Sequence, residues 1–353
     1  MSIGVLEDRR RPRSQRMTEG SARVVARRPA ILLIAAVLLV LCVLASLFVG
    51  SSRIPAGQVA HYLLHPDASN VSYNINVLRV QRTIIGVLVG TALAVAGAIM
   101  QAVTRNPLAE PGLLGVNAGA SLGIVLGTAA LGVLPVPGQL LLAAGGALTA
   151  TALVQVIGMI GGSTSSPVRL VLIGVAFSAF AGALIRGVVL TMPNLFRTFI
   201  DWEVGSLTRA DIPLTAMTIL VALGTGAALL LAGSLDNIAL GDDVAASLGT
   251  RVGLVRGLSL AVITLLCATA TTVAGPVGFV GLMAPLTASW LMGPHRGWIV
   301  ALCALGGPVV VLAADVLGRV LARPGEMQVG LLTAFVGSPV LLLMVLRMKD
   351  RAS

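Results

Sequence analysis

Gln101-Ala-Val-Thr-Arg105-Asn-Pro-Leu-Ala-Glu110-Pro-Gly-Leu-Leu-Gly115-Val-Asn-Ala-Gly-Ala120 sets a short polar hinge between two long apolar runs. Pro107 disfavours helical geometry at Asn106, so a helix arriving through residues 84–103 is expected to stop near Arg105, and Pro111 suits the first turn of the next one. Asn106, Pro107 and Pro111 therefore mark a tight turn between two spans. Beyond the turn, Gly115, Gly119, Gly123 and Gly127 recur at four-residue spacing. That spacing puts them on one helix stripe, where another helix can approach backbone to backbone.

The composition agrees with a membrane setting. Of 353 residues, 56% are hydrophobic and 11% charged, with a mean hydropathy of +0.97. A helix needs about 20 apolar residues to cross a hydrocarbon core. Runs of that kind fall near 30–50, 84–103, 113–133, 138–160, 168–190, 214–233, 257–275, 279–293, 298–317 and 329–347. The expected fold is thus an all-α polytopic membrane protein of about ten transmembrane helices, the eighth being short. The 41 glycines suit close helix packing in lipid. Cys42, Cys267 and Cys303 lie inside apolar runs without a ligand pattern, so neither a disulfide nor a bound metal or cofactor is expected.

The ends carry the topology signal. Eight arginines precede Pro29, which makes residues 1–29 a basic leader that resists translocation and holds the N-terminus in the cytoplasm. It reads as a lipid-facing signal rather than a nucleic-acid arm. With ten spans the tail at 348–353 returns to the same side, and residues 30–347 form the transmembrane domain. Placed on this topology, Arg53, Arg79, Arg82, Arg197, Arg209, Arg319 and Arg323 face outward. By residue type alone, they are membrane-interface anchors.

The longest polar cytoplasmic segment runs over residues 238–250. Asp242 is placed to cap a helix, Gly249 to end it, and Leu240, Val244 and Leu248 repeat on one side. This is a short amphipathic helix outside the bilayer, lying either on the membrane surface or against a partner. ATP hydrolysis is excluded for the chain itself. A P-loop needs a lysine followed by Ser or Thr, and the single lysine is Lys349, followed by Asp350.

Several ordered blocks resemble the FecCD family of ABC importer permeases, which import iron-siderophores, haem or cobalamin. They are Arg79-Val-Gln-Arg82, the hinge quoted above, Gly241-x-x-x-Ala245-x-x-Leu248-Gly249, and Gly275-Pro-Val-Gly-Phe-Val-Gly-Leu-Met-Ala-Pro285. Asp315-x-x-x-Arg319, Glu326-x-x-Val-Gly330 and Gly337-Ser-Pro339 continue the series. The likeness covers residues 30 to 347. Departures are Gln81 and Gln328 where the family has proline, and Leu286 and Ser289 where it has His and Arg.

The resemblance implies a type II ABC importer permease fold and a place in the cytoplasmic (inner) membrane. It also implies a second permease subunit, identical or homologous, an ABC ATPase subunit that binds the ATP, and an extracytoplasmic substrate-binding protein. Gly241, Asp242, Ala245, Leu248 and Gly249 would fit a groove on the ATPase. Arg79, Arg82 and Arg319 would pair with carboxylates of the binding protein, a task suited to the planar guanidinium fork. The expected cargo is a ferric siderophore, with cobalamin or haem as the alternative within the same architecture.

Two other classes fit less well. An ion-coupled carrier commonly keeps ionisable groups at mid-membrane, and here Arg186 and Asp315 lie near the outer ends of their spans. Gly119-Ala-Ser121-Leu-Gly123 matches a hydrolase elbow, but that motif needs a preceding strand and a histidine, and His61, His65 and His295 lie in loops. Val95-Ala-Gly97 and Val273-Ala-Gly275 hint at duplicated halves.

Overall fold

The computed structural model describes residues 13–52, 54–160, 167–192, 199–200, 202–208, 213–323 and 325–352. Arg53, Arg197 and Arg209 lie outside them, as do residues 1–12 of the leader. The described residues are helical with no strand. In order they form α1 Arg13–Phe48, α2 Ala56–Leu64, α3 Asn70–Thr104, α4 Val116–Leu131, α5 Val136–Met159 and α6 Pro167–Thr191. After these come α7 Leu214–Ala239, α8 Asp242–Ser247, α9 Val252–Ala274, α10 Val280–Met292, α11 Arg296–Leu321 and α12 Val329–Ala352.

Among the described residues, seven helices are long and apolar enough to cross a membrane, and α4, α10 and the Val329–Leu343 part of α12 are shorter apolar helices. The ten expected spans are therefore all helices. Three of their boundaries need correction. α1 begins at Arg13, so part of the leader is helical and continuous with the first span. α3 begins at Asn70 instead of residue 84, passing through a stretch of wider turns at Asn74–Arg79. Polar residues masked this extension, because hydropathy cannot register arginines that are neutralised by burial partners.

α3 is the axis of the molecule. In its most apolar 18-residue window 78% of residues are buried, against 11% for α1 and 17% for α6. It packs on α7, α9, α10 and α11. Small residues permit this. A Cβ on Gly97 would fall 1.8 Å from the carbonyl oxygen of Gly281 in α10, and one on Gly307 of α11 would fall 2.1 Å from that of Gly90. α1 instead turns Leu33, Ile34, Val37, Leu41 and Leu44 outward, the surface expected of a helix bathed in lipid.

The third correction concerns the hinge, which is deeper than a tight turn. α3 ends at Thr104, with Arg105 in the left-handed region (φ 49°) and Pro107 soon after. Pro111 then opens a 3-10 turn, Pro111–Leu114, and α4 starts only at Val116, behind Gly115. Gly281 touches both Pro111 and the carbonyl of Leu93. Pro111 therefore sits level with Leu93, about 16 Å back along α3 from its end at 1.5 Å per residue. The chain has folded back into the protein before α4 begins.

The same construction recurs after α9. Residues 275–278 are non-helical, Gly275 and Phe279 take positive φ of 75° and 68°, and the 13-residue α10 follows. The two Val-Ala-Gly strings fall at different places in their helices, since Gly97 lies mid-helix while Gly275 caps α9.

Candidate functional site

Two faces concentrate the polar chemistry. The first surrounds α8. Gly241, at φ 119°, caps α8 and Gly249, at φ 81°, ends it. Asp242 is not the cap, as the sequence suggested. It is the first helical residue, and its carboxylate pairs with Arg105 at the hinge and, at 3.1 Å, with Arg256 of α9. Arg105 also donates to the carbonyl of Ile238 at the end of α7 (2.9 Å). α8 is thus clasped to three helices, but by groups roughly 40% exposed in the Arg105–Asp242 pair. A pair so exposed contributes at most about 1 kcal/mol, so the clasp holds position without preventing motion.

Leu240, Val244 and Leu248 form an apolar stripe that is 65%, 45% and 57% exposed. Ala245, expected at a partner surface, is instead fully buried against the chain's own helices. Four-residue periodicity identifies the faces of a helix this short but not which one turns inward.

The second face lies at the other end of α1. Helix C-termini leave carbonyl oxygens without intrahelical donors and carry the negative end of the helix dipole. Here arginines supply the donors. Arg79 donates to Leu47 O (2.9 Å) and Phe48 O (3.2 Å), Arg319 to Ser46 O and Val49 O (both 2.9 Å), and Arg323 to Gly50 O (3.0 Å). Arg82 reaches Asp315 of α11 through Nε and Nη2, the latter at 2.6 Å, and Glu326 through Nη1 at 2.5 Å. Asp315 also accepts from Arg319 at 2.6 Å. Glu326 accepts from Ser51. Burial opposes charge on Glu326, but the hydrogen bond and charge of Arg82 outweigh it and hold the carboxyl below its ordinary pKa.

Arg79, Arg82 and Arg319, expected to offer their guanidinium forks to a binding protein, are instead 5%, 8% and 1% exposed and committed to acceptors within the chain. The reason is that Arg79 and Arg319 sit inside helices against the end of α1, while Arg82 is held by Asp315 and Glu326, so that buried oxygens outcompete water. They line a cavity of about 270 Å³ with Ser51, Gln81, Thr208 and Glu326.

Between the faces the two fold-back segments meet. Glu110, which precedes Pro111, accepts a hydrogen bond from the backbone N–H of Phe279 at 2.9 Å. No motif reading singled out Glu110. The available signal was a carboxylate held between two prolines in an apolar setting.

The glycine stripe is only partly as expected. Gly119, Gly123 and Gly127 of α4 face α5, and a Cβ on Gly119 would fall 2.5 Å from the carbonyl of Gly146. Gly115 is not on the stripe. It lies before the helix at φ 79°. Ser121 donates to Glu203 at 2.9 Å, so its hydroxyl is engaged as a structural donor, not poised beside a histidine. Leu286 is buried, and Ser289 bonds back to the Leu286 carbonyl within its own turn. Trp202 is buried, and Arg186 is exposed on α6.

The sequence profile of the FecCD transport family matches residues 38–347. The chain belongs to the FecCD transport family. This FecCD protein is 42% identical over 311 residues to the ferric enterobactin transport system permease protein FepD of Escherichia coli K12, covering 88% of this chain and 93% of that one. It is 38% identical over 303 residues to the Fe(3+)-citrate import system permease protein YfmD of Bacillus subtilis 168, covering 84% and 88%. A solved chain described as of the metal-chelate ABC transporter type, in an inward-facing conformation, shares the fold with a TM-score of 0.79 at 24% identity, over 90% of this chain and 99% of that one. The FecCD protein is accordingly a multi-pass membrane protein of the transporter permease kind and not itself an enzyme.

Proposed function

We propose that the chain is the membrane-spanning subunit of an ABC importer that carries ferric siderophores across the cytoplasmic membrane. Two such subunits, identical or homologous, enclose the path, and a separate ATPase subunit binds and hydrolyses ATP. The observation that carries this reading is the exposed stripe of Leu240, Val244 and Leu248 on a clasped helix, a surface ready to receive a partner. On this reading the α8 face is cytoplasmic, as are both termini, and the opposite face receives an extracytoplasmic binding protein. The buried arginines there shape that face from beneath. Ferric chelates are preferred over haem because identity is 42% to the ferric enterobactin permease and 35% to the hemin transport permease HmuU of Yersinia pestis.

The test is reconstitution in proteoliposomes with the cognate ATPase and binding protein, supplied with labelled ferric catecholate, ferric citrate, haemin and cobalamin. ATP-dependent accumulation of a ferric siderophore is the expected result. Accumulation driven by an ion gradient without ATP, or of haemin or cobalamin alone, overturns the reading.

A further inference from the structure

Between the α8 clasp and α10 lies a continuous piece of covalent structure. Arg105, whose guanidinium holds Asp242 of α8, is the first residue of the segment that ends in Glu110 and Pro111. That segment is stiff. Asn106 accepts from the backbone N–H of Leu108 through its side chain (3.0 Å) and from that of Ala109 through its carbonyl (3.1 Å), while Pro107 and Pro111 fix two φ angles. Ala109 is buried, and Pro111 packs on Gly281. At its inner end Glu110 holds the N–H of Phe279, the residue whose left-handed φ starts α10.

We propose that residues 105–111 act as a strut, with Glu110 as its inner joint, that carries displacement of α8 to the start of α10. This deepens the reading above by naming the positioning residue between the ATPase-facing helix and the helices around α3. The outer end of the strut is a partly exposed, weak pair, and the inner end is a buried hydrogen bond to a strained residue. A pull at α8 therefore moves the segment as a unit, and Phe279 is the position with an alternative backbone well to move into. What Glu110 supplies is an acceptor at a fixed reach. Its charge is not the operative property.

The first test needs no partner subunit. In the full chain purified into nanodiscs, hydrogen exchange of the 275–283 amides is followed in wild type, Arg105→Ala, Glu110→Ala and the double variant. Opening the clasp with Arg105→Ala should raise exchange at 279–281 by about tenfold, and the same change should have no further effect once Glu110→Ala is present. An Arg105→Ala chain with unchanged exchange there, or an effect that persists without Glu110, overturns the strut. If Glu110→Ala does not accumulate in the membrane, Glu110→Gln and Glu110→Asp take its place. Gln keeps the reach and should transmit the effect of Arg105→Ala, whereas Asp keeps the charge but is one methylene short and should not. The opposite order, or no difference between the two, overturns the proposal.

In the reconstituted importer, Glu110→Asp should lower ferric chelate taken up per ATP hydrolysed by about tenfold, with Glu110→Gln close to wild type. Equal ratios in both variants count against the strut. A wild-type complex that shows no ATP-driven uptake counts against the importer reading alone, since the exchange result stands without it.

Discussion

Arg319 and Ser46 are 273 residues apart in the chain, yet the guanidinium donates to both the carbonyl oxygen of Ser46, at 2.9 Å, and its hydroxyl, at 2.8 Å. α11 thereby closes the end of α1 with a side chain that is almost entirely buried. A buried cation is tolerable only with full compensation, which Asp315 and the α1 carbonyls provide. Arg79, Arg319 and Arg323 are first of all the C-terminal cap of a lipid-exposed helix.

Replacing Asp315 with Ala should therefore be among the most damaging single changes in the chain. It leaves Arg82 and Arg319 buried without their shared counter-ion, at a cost of about 3–5 kcal/mol. Thermal unfolding of the detergent-solubilised protein reads this directly. An unchanged midpoint would show that water reaches the cluster.

Acid should weaken the same face. Glu326 has a lower pKa in the folded protein than in the unfolded chain, so the unfolded chain binds more protons through the intervening range. Its stabilisation is present above the ordinary glutamate pKa and is lost as the pH falls from there through the lower folded value. Melting temperature measured down that range should fall less steeply in Glu326→Gln than in wild type.

The α4–α5 seam gives a paired comparison. Gly119→Ala pushes a methyl toward Gly146 and Ala150 and should cost about 1–3 kcal/mol. Gly145→Ala, with nothing within 4 Å, should be neutral or stabilising by up to about 1 kcal/mol. Equal effects in a melting assay would mean that the helices can separate freely.

On α8, Val244→Glu and Leu248→Glu change exposed positions and should leave the melting midpoint within about 0.5 kcal/mol of wild type. They should nevertheless abolish co-purification of the ATPase. Ala245→Glu should act differently, reducing the amount of folded chain, because its side chain points inward. Normal ATPase capture by Leu248→Glu would remove the stripe from the coupling surface.

The helices themselves were readable because apolar runs near 20 residues admit one answer in lipid, and the caps at Arg105 and Gly249 followed from residue chemistry. What sequence could not supply was depth and direction. Pro111 reads equally well as the start of a span at the surface or as a turn buried beside Gly281. Ala245 and Val244 are adjacent small apolar residues, and only the packing of α7 and α9 decides which is hidden. Arg82 reads as exposed until Asp315 is known to lie opposite. Glu110 went unseen because its partner is a backbone N–H 169 residues away, which no side-chain pattern reports.

α10 also constrains how the chain is made. Thirteen residues rise about 20 Å, too little to cross the bilayer alone, so a translocon cannot release α10 as an independent span. The leading amide of that helix is satisfied by Glu110, which leaves the ribosome long before it. The amino-terminal half, fold-back included, is thus expected to be seated before residues 275–292 find their place, with the early helices as the template for the later half-helix.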